Sequence, residues 1–254
     1  MNLYQMIFKR RSVRKYKKEA VPEQLQGDIE NFFNQLSPLY PDISTRLVIR
    51  NNEKGGLSVK GMWKVDAPCY LVFYSEEKEG YLRNAGWLLE QMVLYMTGKG
   101  LGTCYLGDTQ IGGEDPDGLK QVIVVAFGYP KSLLYRDPAT AKRLSLKELC
   151  VYKEEPGENV KNILKAVRLA PSALNSQPWR FIVYRDRIYI FACREFLPVF
   201  RMRAMRDLGI GIMLSHLSLA AEEMWVGLRL EVEAQMARKT YKSGTYVATA
   251  YLKE

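Results

Sequence analysis

The chain reads as an α+β protein of two similar α/β halves, and three observations predict it. Apolar residues recur at helical spacing in some segments, as with Leu25, Ile29, Phe32, Phe33 and Leu36, while others are short apolar runs such as Cys69 to Tyr74. Residues 85–99, AGWLLEQMVLYMTGK, are apolar nearly all round, which suits a central helix rather than a surface one. The order helix, strand, strand, helix, strand then recurs after Glu154-Glu155-Pro156-Gly157-Glu158, the strongest candidate boundary in the chain. That order is common, so coincidence stays open. The expected halves are residues 1–153 and 158–254.

In the first half, Asn2 to Phe8 reads as a short helix running into the basic stretch Lys9 to Lys18, KRRSVRKYKK. Pro22 opens a second helix, Glu23 to Leu36, because its fixed φ suits a first turn, and Ser37-Pro38 ends it. Arg46 to Arg50 is a short strand, followed by the Gly-rich loop Asn51 to Gly56. Cys69 to Tyr74 has the continuous apolar character of a strand buried on both faces. Gly100 and Gly102 stop the central helix, and Val122 to Phe127 returns as a strand. Between them Gly112, Gly113, Asp115, Pro116 and Asp117 form a turn-rich connection. Tyr135 to Ala141 is irregular, and Leu144 to Leu149 is a short helical turn.

The second half offers helix Val160 to Leu169, strands Phe181 to Tyr184 and Ile188 to Ala192, helix Asp207 to Trp225 and strand Gly227 to Ala234. Matched by order, Glu23–Leu36 corresponds to Val160–Leu169, Arg46–Arg50 to Phe181–Arg185, Cys69–Tyr74 to Ile188–Ala192, and Ala85–Lys99 to Leu208–Glu222.

The totals exclude several classes. At 254 residues with 47% apolar and 26% charged residues, the chain can bury a sizeable core. Charged or amide residues interrupt every apolar run before membrane-spanning length, and the N-terminal stretch lacks the order of a secretory signal. A cytoplasmic protein with no membrane contact is expected. The four cysteines, Cys69, Cys104, Cys150 and Cys193, form no C-x-x-C pair, so neither a zinc site nor a disulfide framework is indicated. The lone His216 lies in an apolar helical stretch, which argues for a core residue and against a multi-histidine metal site or a histidine triad. The net charge of +9 admits nucleic acid as a partner, but no nucleic-acid-binding motif supports it. A phosphate-bearing cofactor explains the clustered arginines with less machinery.

The most informative stretch is Ala170-Pro171-Ser172-Ala173-Leu174-Asn175-Ser176-Gln177-Pro178-Trp179-Arg180-Phe181, a helix-to-strand connection between two prolines. Ser172, Asn175 and Gln177 carry both donors and acceptors, which on residue types alone suits bonds to their own backbone ahead of a planar heterocycle. This segment resembles the APSxxNxQPWxF signature of the FMN-dependent nitroreductase family. Arg10-Arg11-Ser12 resembles the family's N-terminal Arg-Arg-Ser. Gly100-Leu101-Gly102-Thr103-Cys104-Tyr105-Leu106-Gly107 resembles its Gly-rich turn after a long helix. The order departs from the family pattern. Where the Asn-x-Gln-Pro-Trp loop is expected, Ser37 to Ser44 has none, and the loop comes in the second half.

The resemblance implies a nitroreductase-like fold with antiparallel or mixed sheets flanked by helices, in its long, internally duplicated branch. Family homodimers build each FMN site from both subunits. A single chain acting as a pseudo-dimer would keep one such site between its halves, as a monomer or a weak homodimer. On that pattern Arg10, Arg11 and Ser12 hold the FMN phosphate and ribityl chain, and Arg143 adds a second phosphate clamp. Thr103 joins the cofactor-binding set, and the backbone N–H groups of Leu106 and Gly107 face flavin N5. Pro171, Ser172 and Asn175 cover the other end, with Gln177 and Trp179 behind them. Lys60 sits near the pyrimidine edge or is a surface lysine. Tyr105 and Tyr129 stack in the pocket or fill core. No metal and no catalytic side chain is implied. NAD(P)H would reduce the flavin and a nitroaromatic, quinone or similar acceptor would reoxidise it in ping-pong fashion. The alternative is a flavin-binding protein for storage or sensing with little turnover.

Overall fold

The computed structural model describes residues 2–52, 55–61, 64–113, 116–193 and 200–253. Asp115 of the expected turn, and residues 53 and 54 of the Asn51–Gly56 loop, lie outside them. The chain divides into two compact units, Met1–Thr140 and Ala141–Glu254.

The first unit runs α1 (Leu3–Lys9), α2 (Glu23–Gln35), β1 (Thr45–Asn51), β2 (Val59–Lys60), β3 (Cys69–Ser75), α3 (Tyr81–Gly98), β4 (Gly102–Leu106), β5 (Gln110–Ile111) and β6 (Lys120–Gly128). The Asn2 side chain caps α1 by accepting the Gln5 N–H at 3.2 Å. Strands β1, β3, β6 and β4 form an antiparallel sheet in that order, and β2 pairs β5 separately. All seven residues of β3 are buried. The reason is cover on both faces. Leu88, Leu89, Met92 and Met96 of α3 belong to the core. On the other side Val13, Tyr16, Val65 and Ala67 pack with Tyr70, Val72, Tyr74, Cys104, Leu106, Val124 and Ala126.

The second unit runs α4 (Leu146–Leu149), β7 (Cys150–Tyr152), α5 (Glu158–Arg168), β8 (Trp179–Val183), β9 (Arg187–Ala192), α6 (Phe200–Glu223), β10 (Gly227–Glu231), β11 (Thr240–Tyr241) and β12 (Gly244–Lys253). A capping box of Ser145 and Glu148 starts α4. The sheet order is β10-β12-β9-β8-β7, with β7 parallel to β8 and the other pairs antiparallel. His216 is fully buried on α6, its Nδ1 3.1 Å from the Ala166 carbonyl.

The two units share one connectivity. Helix α2 or α5 leads into β1 or β8, then β3 or β9, then α3 or α6, then β4 or β10 at one edge, then β6 or β12 inside the sheet. The register agrees as well. Gly102 faces Gly128 in the first unit, and Gly227 faces Lys253 in the second. Each central strand carries a bulge, at Val122 in β6 and at Val247 in β12, and the offset between these matches is the same. Helix closure matches too. Leu101 N–H donates to Met96 O at 2.9 Å after a left-handed Gly100, and Val226 N–H donates to Ala221 O at 2.9 Å after a left-handed Trp225.

The structure corrects several expectations. Residues 102–106 are an edge strand rather than part of a turn, because Thr-Cys-Tyr-Leu pairs with β6, so Gly100 alone stops α3. The second unit begins at Ala141, ahead of the expected boundary at residues 154–158. Strand β7 pairs with β8 and thereby takes residues 141–153, including Arg143, into that unit. Strand β10 ends at Glu231 rather than Ala234. The ten-residue β12, central to its sheet, lies where no strand was expected.

Burial at β7 carries a pH dependence. Desolvation pushes the Cys150 thiol up from 9.0 to about 11, against a smaller opposing bond with Tyr152. A raised acid pKa stabilises fully below the unfolded value and loses that contribution as pH climbs through the folded one. Stability should therefore fall between pH 9 and about 11. Cys150→Ala should shallow the fall without removing it, since Cys104 and Cys193 shift the same way. Urea titrations across that range read it.

Candidate functional site

After α1 the chain lies along the outer edge of β4. Ser12 bridges Thr103 in parallel, and the Val13 N–H donates to the Thr103 carbonyl at 2.8 Å. Tyr16 bonds back to the Val13 carbonyl at 2.6 Å and to that of Ala126 at 3.1 Å. The approach is tight enough to require a glycine. A Cβ on Gly102 would meet the Val13 side chain at 2.8 Å.

This arm drives Arg10 inward to 3% exposure. Its Nε stands 3.9 Å from Oε1 of Glu90, a fully buried carboxylate in the middle of α3. Glu90 also accepts the Tyr105 hydroxyl at 2.8 Å. Burial, and then the Glu90 charge, raise the Tyr105 pKa well above its ordinary value, so this phenol stays protonated. Arg10 Nε and Nη1 and Thr103 Oγ1 are buried without a hydrogen-bond partner among the described residues. Such atoms are costly unless something accepts from them. Arg11 and Ser12 are half-buried on the same segment, and Arg14 is exposed. The charge of Arg14 reaches Tyr16 and Cys104, lowering both against the burial that raises them.

Strand alternation sets what β4 presents outward. Because the Thr103 carbonyl bonds to the arm, Gly102, Cys104 and Leu106 turn their backbone groups to β6, while Thr103 and Tyr105 face out, and Gly107 follows in a turn where the Thr109 N–H donates to the Leu106 carbonyl at 3.3 Å. The Leu106 N–H is thus committed to the sheet. Tyr105 is half-buried, with its hydroxyl held by Glu90. Lys60 is exposed on β2, opposite Gln110 of β5, just past the Gly107 turn. Gly61, at φ 143°, allows this approach, for a Cβ there would stand 2.2 Å from the Asp108 carbonyl.

The second unit carries the loop between α5 and β8. Leu174, Asn175 and Gln177 are left-handed at φ 51°, 57° and 48°. Side chains hold them there. Ser172 Oγ accepts the Gln177 N–H at 2.9 Å, and Gln177 takes the Leu144 N–H at 2.8 Å while donating to the Asn175 carbonyl at 3.0 Å. Asn175 donates to the Lys142 carbonyl at 2.9 Å and accepts from Arg143 Nη1 at 2.6 Å. Arg143 Nη2 donates to Leu169 O at 3.3 Å. Arg143 and Asn175 are therefore joined directly, with Pro171 and Trp179 buried beneath and Leu174 73% exposed at the tip. A cavity of about 600 Å³ in the first unit, lined by Val21, Glu23, Gln26, Asn51 and Leu57 among others, includes none of these residues.

Residues 2–221 match the model of a protein family described as "Putative TM nitroreductase". The chain belongs to that family. A crystal structure of "a putative nitroreductase" from Thermotoga maritima superposes with a TM-score of 0.67 at 23% identity, covering 99% of this chain and 93% of that one. A nitroreductase with bound FMN from Desulfitobacterium hafniense gives a TM-score of 0.42 at 16% identity, over 57% of this chain and 100% of that one. A "Putative NADH dehydrogenase/NAD(P)H nitroreductase" from Archaeoglobus fulgidus is 67% identical over 30 residues, 12% of this chain and 17% of that protein's length.

Within this nitroreductase-family chain each motif occurs once. At the positions matching Thr103, Gly107 and Glu90 the second unit carries Leu228, Val232 and Ser215. At the position of the Asn-x-Gln-Pro-Trp loop, ahead of β1, the first unit carries Ser37 to Ser44.

Sequence alone does not single out Glu90 or Arg14. The available signal for Glu90 is a lone carboxylate in an otherwise apolar run, WLLEQMVLYM. Glu90→Ala should leave Arg10 buried without a countercharge and cost about 3 kcal/mol of stability, with Glu90→Gln milder because it still accepts from Tyr105. Gly102→Ala should cost about 1–3 kcal/mol through overpacking against Val13. Denaturant titrations check both.

Proposed function

We propose that this chain is an FMN-dependent NAD(P)H oxidoreductase that reduces a nitroaromatic, quinone or similar small acceptor, with one FMN per chain. The observation that carries the reading is the set of buried, uncommitted donors on Arg10 and Thr103 beside the arm. A phosphate or ribityl oxygen is the partner such donors fit, and the resemblance of the motifs to those of FMN-dependent nitroreductases supports flavin as the cofactor class.

When bound, FMN supplies hydride transfer between NAD(P)H and the acceptor. The chain's own residues bind and orient. Arg11, Ser12 and Arg10 hold the anionic end, Gly107 offers a backbone N–H without a titrating side chain, and Lys60 is the cation beside that turn. The loop of Pro171, Ser172 and Asn175, with Arg143 locking Asn175, completes the binding set. Among these residues none serves as nucleophile or general base. The single copy of each motif also fits a protein that holds FMN with little turnover.

Purified protein should show flavin absorbance at one FMN per chain, bleached by NADH or NADPH under anaerobic conditions and restored by a quinone. Bound flavin that resists both nucleotides would favour storage over turnover. Arg11→Glu should weaken FMN binding at least about tenfold, read by fluorescence titration. Unchanged affinity would remove the assigned phosphate end.

A further inference from the structure

The outer edge of β4 is closed by Ser12 and Val13. The matching edge of β10 is not. Strand β10 pairs with β12 in the register of β4 on β6, so Gly227, Arg229 and Glu231 bond inward and Leu228, Leu230 and Val232 face out. The outward N–H and C=O groups of these three bond to nothing among the described residues. The strand has no proline and no bulge to blunt it. An open edge of this kind is a template for another strand.

We propose that this edge is a self-association surface, where the β10 strands of two copies of this chain pair antiparallel about a twofold axis at Leu230. The strand's own sequence selects the occupant. In that register Leu230 meets Leu230 of the second copy, and Leu228 meets Val232. All are residues whose backbone groups face outward, as hydrogen-bonded pairs require. Arg229 then lies opposite Glu231 of the second copy, so the charges attract at both symmetric positions. Within one chain these two side chains already form an ion pair, and Arg229 lies over the Tyr251 ring at 4.9 Å.

Trp225 is the independent observation. It is 94% exposed and sits at φ 56°, in the place where the first unit uses Gly100. A bulky residue in left-handed backbone is strained, and an exposed indole gains nothing in the isolated chain. Continuing the paired register sets Trp225 opposite the 234–236 turn of the second copy, where Ala234 and Met236 offer apolar cover. Val232, 69% exposed, is buried by the same pairing. Aromatic anchors flanked by strand pairing suit a small, reversible interface.

The test is sedimentation velocity on the full chain from micromolar to submillimolar concentration. The wild type should show a concentration-dependent monomer–dimer equilibrium. Arg229→Glu and Glu231→Arg should each weaken it at least about tenfold by setting like charges opposite each other. The two variants mixed should form a heterodimer, and the double variant R229E/E231R should recover dimerisation. Trp225→Gly should also weaken the dimer while raising the melting temperature of the monomer, because glycine accepts the left-handed backbone. FMN content serves as the folding control and is expected to stay constant. A wild type that is monomeric at submillimolar concentration, or variants that dimerise as well as it does, would overturn the proposal.

Discussion

The first unit depends on one close approach, that of Val13 to Gly102. Only a hydrogen fits between the arm and β4, and this closeness lets the arm join the sheet through Ser12 and Val13. Once the arm is in register, Arg10 has no route to water and must be accommodated inside. Glu90 is the accommodation. A buried guanidinium would cost several kcal/mol without a countercharge, yet at 3.9 Å the carboxylate leaves two of its nitrogen atoms without acceptors. Packing has thus placed a charge where its compensation is incomplete.

The loop ahead of β8 is rigid for a different reason. Three non-glycine residues in left-handed backbone carry strain of about 1–3 kcal/mol each. Ser172 accepts the Gln177 N–H within the loop, while bonds of Gln177, Asn175 and Arg143 tie it to residues 142–144 and Leu169. Replacing any of these side chains removes a bond that holds the backbone in an unfavourable region. The residue types of the motif are needed for the loop's shape before any question of what they touch.

The helices and the buried strands were legible because their signals are local. Glu23–Gln35, Tyr81–Gly98 and Glu158–Arg168 follow apolar spacing, and Cys69–Ser75 is continuously apolar. What was hidden depends on pairing between distant residues. Gly102–Leu106 looks like a glycine-rich turn until Gly102 faces Gly128, and β12 sits in a stretch of Thr, Tyr, Ala and Gly with no strong alternation. The boundary was misplaced for the same reason, since only the pairing of β7 with β8 assigns residues 141–153 to the second unit. Arg11, Ser12 and the Asn175 loop were named as candidates from their motifs. Glu90 was not, because a carboxylate in a helix is usually a surface residue, and only tertiary packing makes this one internal.

The shared connectivity lets each position be compared with its match, and differences occur at edges and turns as well as in the core, where Glu90 is matched by Ser215. The bulges at Val122 and Val247 coincide, as do the helix closures, because these shape the sheet and its packing. Gly107 against Val232 and Gly100 against Trp225 do not coincide, and neither residue pair bears on the core. Thr103 against Leu228, Gly107 against Val232 and Gly100 against Trp225 lie on or beside β4 and β10, whereas Glu90 against Ser215 lies on the buried helices and the loop ahead of β8 differs from its match ahead of β1.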